Sequence, residues 1–170
     1  MIYEEYIKNN RFAFLEELKR ICALLMMNPE HLMVVMYAES RLNPQAVNPK
    51  SNATGLIQFM PKTALSLGTT VAALKLMTNV EQLAWVYKYF LPYKGKMHSV
   101  YDVYKAVFFP ASLGKPKDWV FQTSTLSAKT IADANKIIDN FPRDGKITVR
   151  EFETYVDQYL KKKVSTQSKA

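Results

Sequence analysis

Glu39 closes the apolar run Leu32 to Ala38 and is followed by Ser40, so its carboxyl stands at the end of a helix that belongs in a core. Partial desolvation disfavours the ionised form there, and the negative end of the helix macrodipole disfavours it again. Both effects push the pKa upward, and a carboxylic acid that keeps its proton near neutral pH can protonate a leaving oxygen. The plainer reading of the same residue is a surface acid paired with Arg41. Further on, the polar loop Gln45 to Thr54 ends in Gly55, where a glycine lets backbone approach the end of a buried helix without a side-chain clash. Gln58 then offers an amide, either to a ligand or to the backbone of its own loop. Cys22, the one cysteine, sits among Leu18, Ile21 and Leu25 and reads as a small buried hydrophobe. A nucleophilic thiol would need a base beside it, and neither His31 nor His98 lies in a motif that would supply one.

Glycosidase chemistry with two carboxylates would require a partner acid across the bond. Asp102 and Asp118 are the candidates, but Asp102 reads better as a helix-start residue, and no convincing second carboxylate emerges. Near the end, residues 140–151 have the frame of an EF-hand loop, with Gly145 at the sixth position, Ile147 at the eighth and Glu151 at the twelfth. The first, third and fifth positions are Asn140, Pro142 and Asp144, and proline has no side-chain ligand to offer. The expectation is a vestigial turn without an ion, in which Glu151 caps a helix and Gly145 makes the turn. Neither a metal nor another cofactor is expected.

The elements that must hold these residues are helical nearly throughout. Phe12, Leu15, Leu18, Cys22 and Leu25 recur at three- and four-residue steps and predict a first amphipathic helix. Asn28-Pro29-Glu30 is a helix start, and Asn43-Pro44 is the expected stop of the helix that carries Glu39. Pro61 opens a short helix that Gly68 closes. Thr78 and Glu81 form a capping box ahead of Val80, Leu83, Tyr87 and Phe90. Ser99 and Asp102 start a helix with Tyr104, Val107 and Phe108 that Pro110 breaks. Ser127 opens another through Ile131 and Ile138, and Thr148 with Glu151 caps the last, whose face is Phe152, Tyr155, Val156 and Tyr159. The fold class is all-α.

Composition sets the outer bounds. The chain has 170 residues, 48% of them apolar and 22% charged, which suits an ordinary globular protein. The net charge of +8 implies attraction to a polyanion: nucleic acid, an anionic membrane surface, or a bacterial wall carrying carboxylates and phosphates. No basic helix with interleaved aromatics stands out, which argues against nucleic acid. The start, Met1-Ile-Tyr-Glu-Glu-Tyr, lacks the positive charge and apolar core of a signal peptide, and no run is long enough to span a bilayer. Lys161-Lys162-Lys163 falls in a polar tail that reads as a solvated end.

The stretches Met36-Tyr-Ala-Glu-Ser-Arg-Leu-Asn-Pro-Gln-Ala46 and Ala53-Thr-Gly-Leu-Ile-Gln-Phe-Met-Pro-Lys-Thr-Ala64 together resemble the lytic transglycosylases related to goose-type lysozyme. That family pairs a Glu-Ser at the end of a buried helix with a Gly-Leu-Met-Gln-like turn shortly after it. The resemblance implies a lysozyme-like fold over 1–120, leaving a helical extension at 121–162 and a polar tail at 163–170. It implies Glu39 as catalytic acid/base and Ser40 as a helper that orients it or the sugar. It also implies Gly55 at the tight turn, Gln58 toward the glycan, and Phe59 with Met60 along the cleft. The family's Ala-Tyr-Asn motif has no counterpart here: Phe108 stands where its tyrosine would be, and Tyr104, one turn earlier, is either a replacement hydroxyl or a core aromatic. The implied partner is the peptidoglycan glycan strand, cleaved without water to leave an anhydro sugar. A hydrolytic lysozyme or chitinase of the same fold, and a wall-binding protein without activity, are the rivals. Delivery in a phage particle fits a chain without a signal peptide, and a periplasmic or wall-bound role stays open.

Overall fold

The computed structural model describes residues 1–140 and 142–167, with side chains to residue 160. Phe141, within the EF-hand-like stretch, and the side chains of Lys161 to Lys163 and of the polar tail lie outside the described residues. Among the described residues there are eight α-helices, and extended pairing is limited to single bridges such as Val47 with Thr54 and Thr54 with Phe59. The all-α expectation holds. No single helix among the described residues is long and apolar enough to cross a membrane. By internal contacts the chain forms two compact units, Met1–Val103 and Tyr104–Ala170.

In the first unit, α1 (Arg11–Leu25) packs on α5 (Asn79–Phe90) and on α2 (Pro29–Ser40). The buried face of α1 is Phe14, Leu18, Ile21, Cys22 and Leu25. Phe12, counted on that face from its spacing, is 81% exposed. The stripe therefore starts at Phe14, which leads into Leu18 and Ile21 at steps of four and three. α2 begins as its sequence dictates, with Pro29 in its first turn and the Asn28 carboxamide oxygen accepting the Glu30 amide at 2.9 Å. Leu32 through Tyr37 are all buried, so α2 is enclosed rather than amphipathic.

The end of α2 differs from expectation. Its stop is set at Arg41 and Leu42, before Asn43-Pro44, both with left-handed backbone at φ 55° and 60°. Their amides return to the carbonyls of Tyr37 and Met36, which closes the helix without a glycine. Aromatic packing at the chain start supports this end. Tyr3 stacks on Tyr37 with centroids 3.7 Å apart, Tyr6 meets the same ring edge-on at 4.7 Å, and the Arg41 guanidinium lies 4.5 Å over it.

Short helices α3 (Pro61–Leu67) and α4 (Val71–Leu76) follow, the second without a counterpart in the sequence reading. Thr70 caps it by accepting the Ala73 amide. α5 carries the full Thr78–Glu81 capping box. α6 (Val100–Phe108) leads into the second unit.

There Tyr104, Phe108, Phe121 and Phe152 form one aromatic cluster. The buried Lys105 ammonium pairs with Glu153 at 3.0 Å, and Lys117 pairs with the same carboxylate. α7 (Ala128–Ala134) ends before Ile138, which is buried in the following turn rather than helical. α8 (Val149–Gln167) buries Phe152 and Val156 on the expected face.

Candidate active site

Glu39 stands in the last turn of α2, half-buried, one residue before the buried Ser40. The Ser40 Oγ lies 2.9 Å from the carbonyl oxygen of Met36 in its own helix and 2.9 Å from that of Leu56. One hydroxyl proton serves two acceptors, so Ser40 ties the end of α2 to the turn that follows Gly55. The two sequence halves that resemble a family motif thus meet in space through Ser40 and Leu56.

The loop between them is held by its own backbone. Asn48 and Ala53 pair, Thr54 and Phe59 exchange both amide bonds, and the Gly55 amide donates to Ala46. Gln58, itself at φ 55°, donates its side-chain nitrogen to the carbonyls of Ala46 and Gly55, each at 3.1 Å. Of its two readings, the loop-to-backbone bond is the one the side-chain nitrogen makes. Gly55 has φ 87°, and a Cβ built on it would come 2.5 Å from Gln82 Oε1. Gln82 is fully buried on α5. Its Oε1 accepts the Leu56 amide at 3.0 Å, and its nitrogen donates to the carbonyls of Pro44 and Leu74. The sequence alone does not single out this residue, because a polar side chain in an amphipathic helix reads as solvated unless its distant partners are known.

The aromatic wall also differs from expectation. Phe59 is buried, at 2% exposure, and meets Tyr89 edge-on with centroids 6.2 Å apart, whereas Met60 is 48% exposed. Tyr89 in turn lies 6.1 Å from Tyr93. Burial holds the Tyr89 phenol well above its usual pKa, with further upward pressure from Tyr93 and from the charge of Glu39. Tyr89 is therefore a hydroxyl in the electrostatic reach of Glu39 that no sequence motif marks. Its signal was available only as a polar-tipped aromatic among several on α5.

Tyr104 and Phe108 belong to the second unit. Tyr104 is 2% exposed and packs edge-on against Phe152 at 5.4 Å, and Phe108 stacks on the same ring at 5.0 Å. Both rings have the contacts of core aromatics. The Asp102 carboxylate accepts the His98 amide at 3.0 Å, and the Asp102 amide donates to Ser99 Oγ, a helix-start arrangement. Asp118 is exposed in a turn. The Cys22 thiol is buried and its pKa pushed up to about 12 by desolvation, which leaves it protonated and unreactive. A polar cavity of about 560 Å³, walled by Arg41, Asn43, Gln45 and Asn79 among others, does not include Glu39.

Residues 23–92 match the family model described as Transglycosylase SLT domain. The match takes in Glu39 and Ser40, the Gly55 to Gln58 turn, and the Gln82 and Tyr89 positions of α5. No curated protein and no solved structure matches the chain. A buried helix ending in Glu-Ser, a glycine turn tied to it by the serine, and this match agree with one another: within an all-helical chain, residues 23–92 are similar to the transglycosylase SLT domain.

Proposed function

We propose that this chain cleaves the β-1,4 bond between N-acetylmuramic acid and N-acetylglucosamine in peptidoglycan, by lytic transglycosylation, with Glu39 as acid and then base. The observation that carries the reading is the transglycosylase match over residues 23–92, which spans both the Glu39-Ser40 helix end and the Gly55 turn bonded to it. In the first step Glu39 gives its proton to the leaving glycosidic oxygen as the bond to the anomeric carbon breaks. The sugar's own N-acetyl group stabilises the cation. The Glu39 carboxylate then takes the proton of the sugar's 6-hydroxyl, whose oxygen bonds to the anomeric carbon and leaves a 1,6-anhydro end. Holding that hydroxyl in place makes the second step intramolecular, so it can outrun attack by bulk water. Ser40 and Gly55 serve this chemistry by fixing the helix end and the turn, and Met60 offers exposed apolar surface to the glycan.

Glu39→Gln keeps the shape of the side chain and removes its acid proton. It should lower the clearing of bacterial walls by on the order of 10²–10⁴-fold or more, with an unchanged melting temperature. Near-normal clearing by the variant would remove Glu39 from the mechanism. Digested peptidoglycan should carry anhydro ends, each lighter by one water than a hydrolysed end in mass spectrometry. Mainly reducing ends would make the protein a hydrolase. Phe108 in place of the family tyrosine favours one other reading, a wall-binding protein without activity, and wild-type chain that binds walls yet never clears them would establish it.

A further inference from the structure

The turn between α7 and α8 brings three carboxylates together. Oxygens of Asp139, Asp144 and Glu151 all lie within 4.8 Å of one another. Asp139 is 4% exposed and Glu151 is 7% exposed, whereas Asp144 faces solvent. Gathering three negative charges at this spacing, two of them out of water, is unfavourable unless positive charge joins them. Among the described residues, none of the three is in an ion pair. The nearby Arg143 donates to the Asp139 backbone carbonyl at 3.3 Å, not to its carboxylate.

The hydrogen bonds leave one acceptor over. Glu151 Oε2 takes the Thr148 amide at 2.7 Å and its hydroxyl at 2.9 Å, as a capping box requires. Glu151 Oε1 is buried and has no hydrogen-bond partner. A buried carboxylate oxygen without a donor is costly, and a cation is the partner that removes the cost and the repulsion together. Asp139 is already oriented: its two oxygens accept the amides of Asp144 at 3.1 Å and Gly145 at 3.0 Å.

We propose that Asp139, Asp144 and Glu151 form a binding site for a hard divalent cation, calcium. Reading the loop frame from Gly145 put Asn140 in the first position and Pro142 in the third, and so implied a turn without an ion. Asp139, one residue ahead, points its carboxylate back onto the Gly145 amide and joins Asp144 and Glu151, so the missing first acid is present and Pro142 is not needed as a ligand. An all-oxygen, triply anionic donor set suits calcium or magnesium and not a thiolate- or imidazole-seeking metal. Calcium ligands sit at about 2.3–2.6 Å, so oxygens up to about 5 Å apart can share one ion, whereas magnesium at about 2.0–2.1 Å demands a tighter octahedron.

The test uses the full chain, freed of metal by chelator, titrated with calcium chloride by calorimetry and melted with and without the ion. One site should appear, with a dissociation constant below about 1 mM. Saturating calcium should raise the melting temperature by about 5 °C or more, and magnesium should bind at least tenfold more weakly. Glu151→Gln keeps an acceptor for the Thr148 cap, and Asp144→Asn changes an exposed residue. Each should weaken calcium binding at least tenfold and remove the calcium-dependent rise, with little change in the metal-free melting temperature. If Glu151→Gln does not fold, Asp144→Asn decides. Superimposable melting curves with no binding heat at several millimolar calcium would overturn the proposal, as would variants that bind as tightly as wild type. Neither readout involves wall cleavage, so the result stands apart from the catalytic reading.

Discussion

Gly55 answers to two separate constraints. Its φ of 87° costs a side-chain-bearing residue about 1–2 kcal/mol, and its missing Cβ makes room for the Gln82 carboxamide. Gly114 has a comparable φ of 71° with nothing within 4 Å of a built Cβ, so it carries the first constraint alone. Gly55→Ala should therefore destabilise the protein more than Gly114→Ala and should also depress wall clearing, because the turn bonded to Ser40 must shift. Gln82 cannot move aside cheaply, since all three of its hydrogen bonds are buried or partly buried. Paired thermal melts make the comparison. Equal losses for the two alanine variants would mean that the dihedral, not the close approach, requires the glycine.

At the level of elements, α5 is the brace of the candidate site. Its Gln82 joins the Leu56 turn, the Pro44 end of the preceding loop and the C-terminal end of α4. Gln82→Leu preserves much of the volume but orphans one amide and two carbonyls. At about 1–3 kcal/mol for each buried group left unsatisfied, the loss should reach roughly 3 kcal/mol or more. Thr78→Ala on the same helix removes only an exposed cap and should cost about 1 kcal/mol. Denaturant midpoints of the two variants measure the difference. A Gln82→Leu protein no weaker than Thr78→Ala would show that the three strands of backbone hold their places without the glutamine. Similar reasoning explains Ser40, whose hydroxyl does for the end of α2 what Gln82 does for α5.

For the whole molecule, the fate of Cys22 reports on the core of the first unit. Its side chain lies on the buried face of α1, 1% exposed, with a thiol whose pKa burial pushes up to about 12. A thiol-exchange reagent needs both access and thiolate, and the folded chain offers neither. Modification at pH 8 should be slower than in denaturant by on the order of 10³-fold or more, tracking the rare open population. Release of the reagent's chromophore follows it directly. Rapid modification of the native protein would show that α1 detaches from α5 without global unfolding.

Local chemistry was legible from the residues alone. Asn28, Thr78 with Glu81, Ser127, and Thr148 with Glu151 each start a helix where their spacing says, because a cap is satisfied by amides two or three residues away. The apolar density of Leu32 to Tyr37 placed α2 in the core, and the Glu-Ser and Gly-Leu-Ile-Gln stretches marked the candidate site. What the residues could not reveal depends on partners far along the chain. Gln82 is a surface-like glutamine until residues 26 and 38 positions away supply its bonds. Gln58 could face a ligand or its own loop until the carbonyls of Ala46 and Gly55 stood within reach of its amide. Tyr89 came within the electrostatic reach of Glu39 only in the fold, where it packs with Phe59 and Tyr93. Asp139 entered a carboxylate cluster because the turn carries one residue more than the motif counted. A cap needs only the next turn of the chain, whereas a buried polar group needs whatever the fold brings to it, and only the tertiary structure decides what that is.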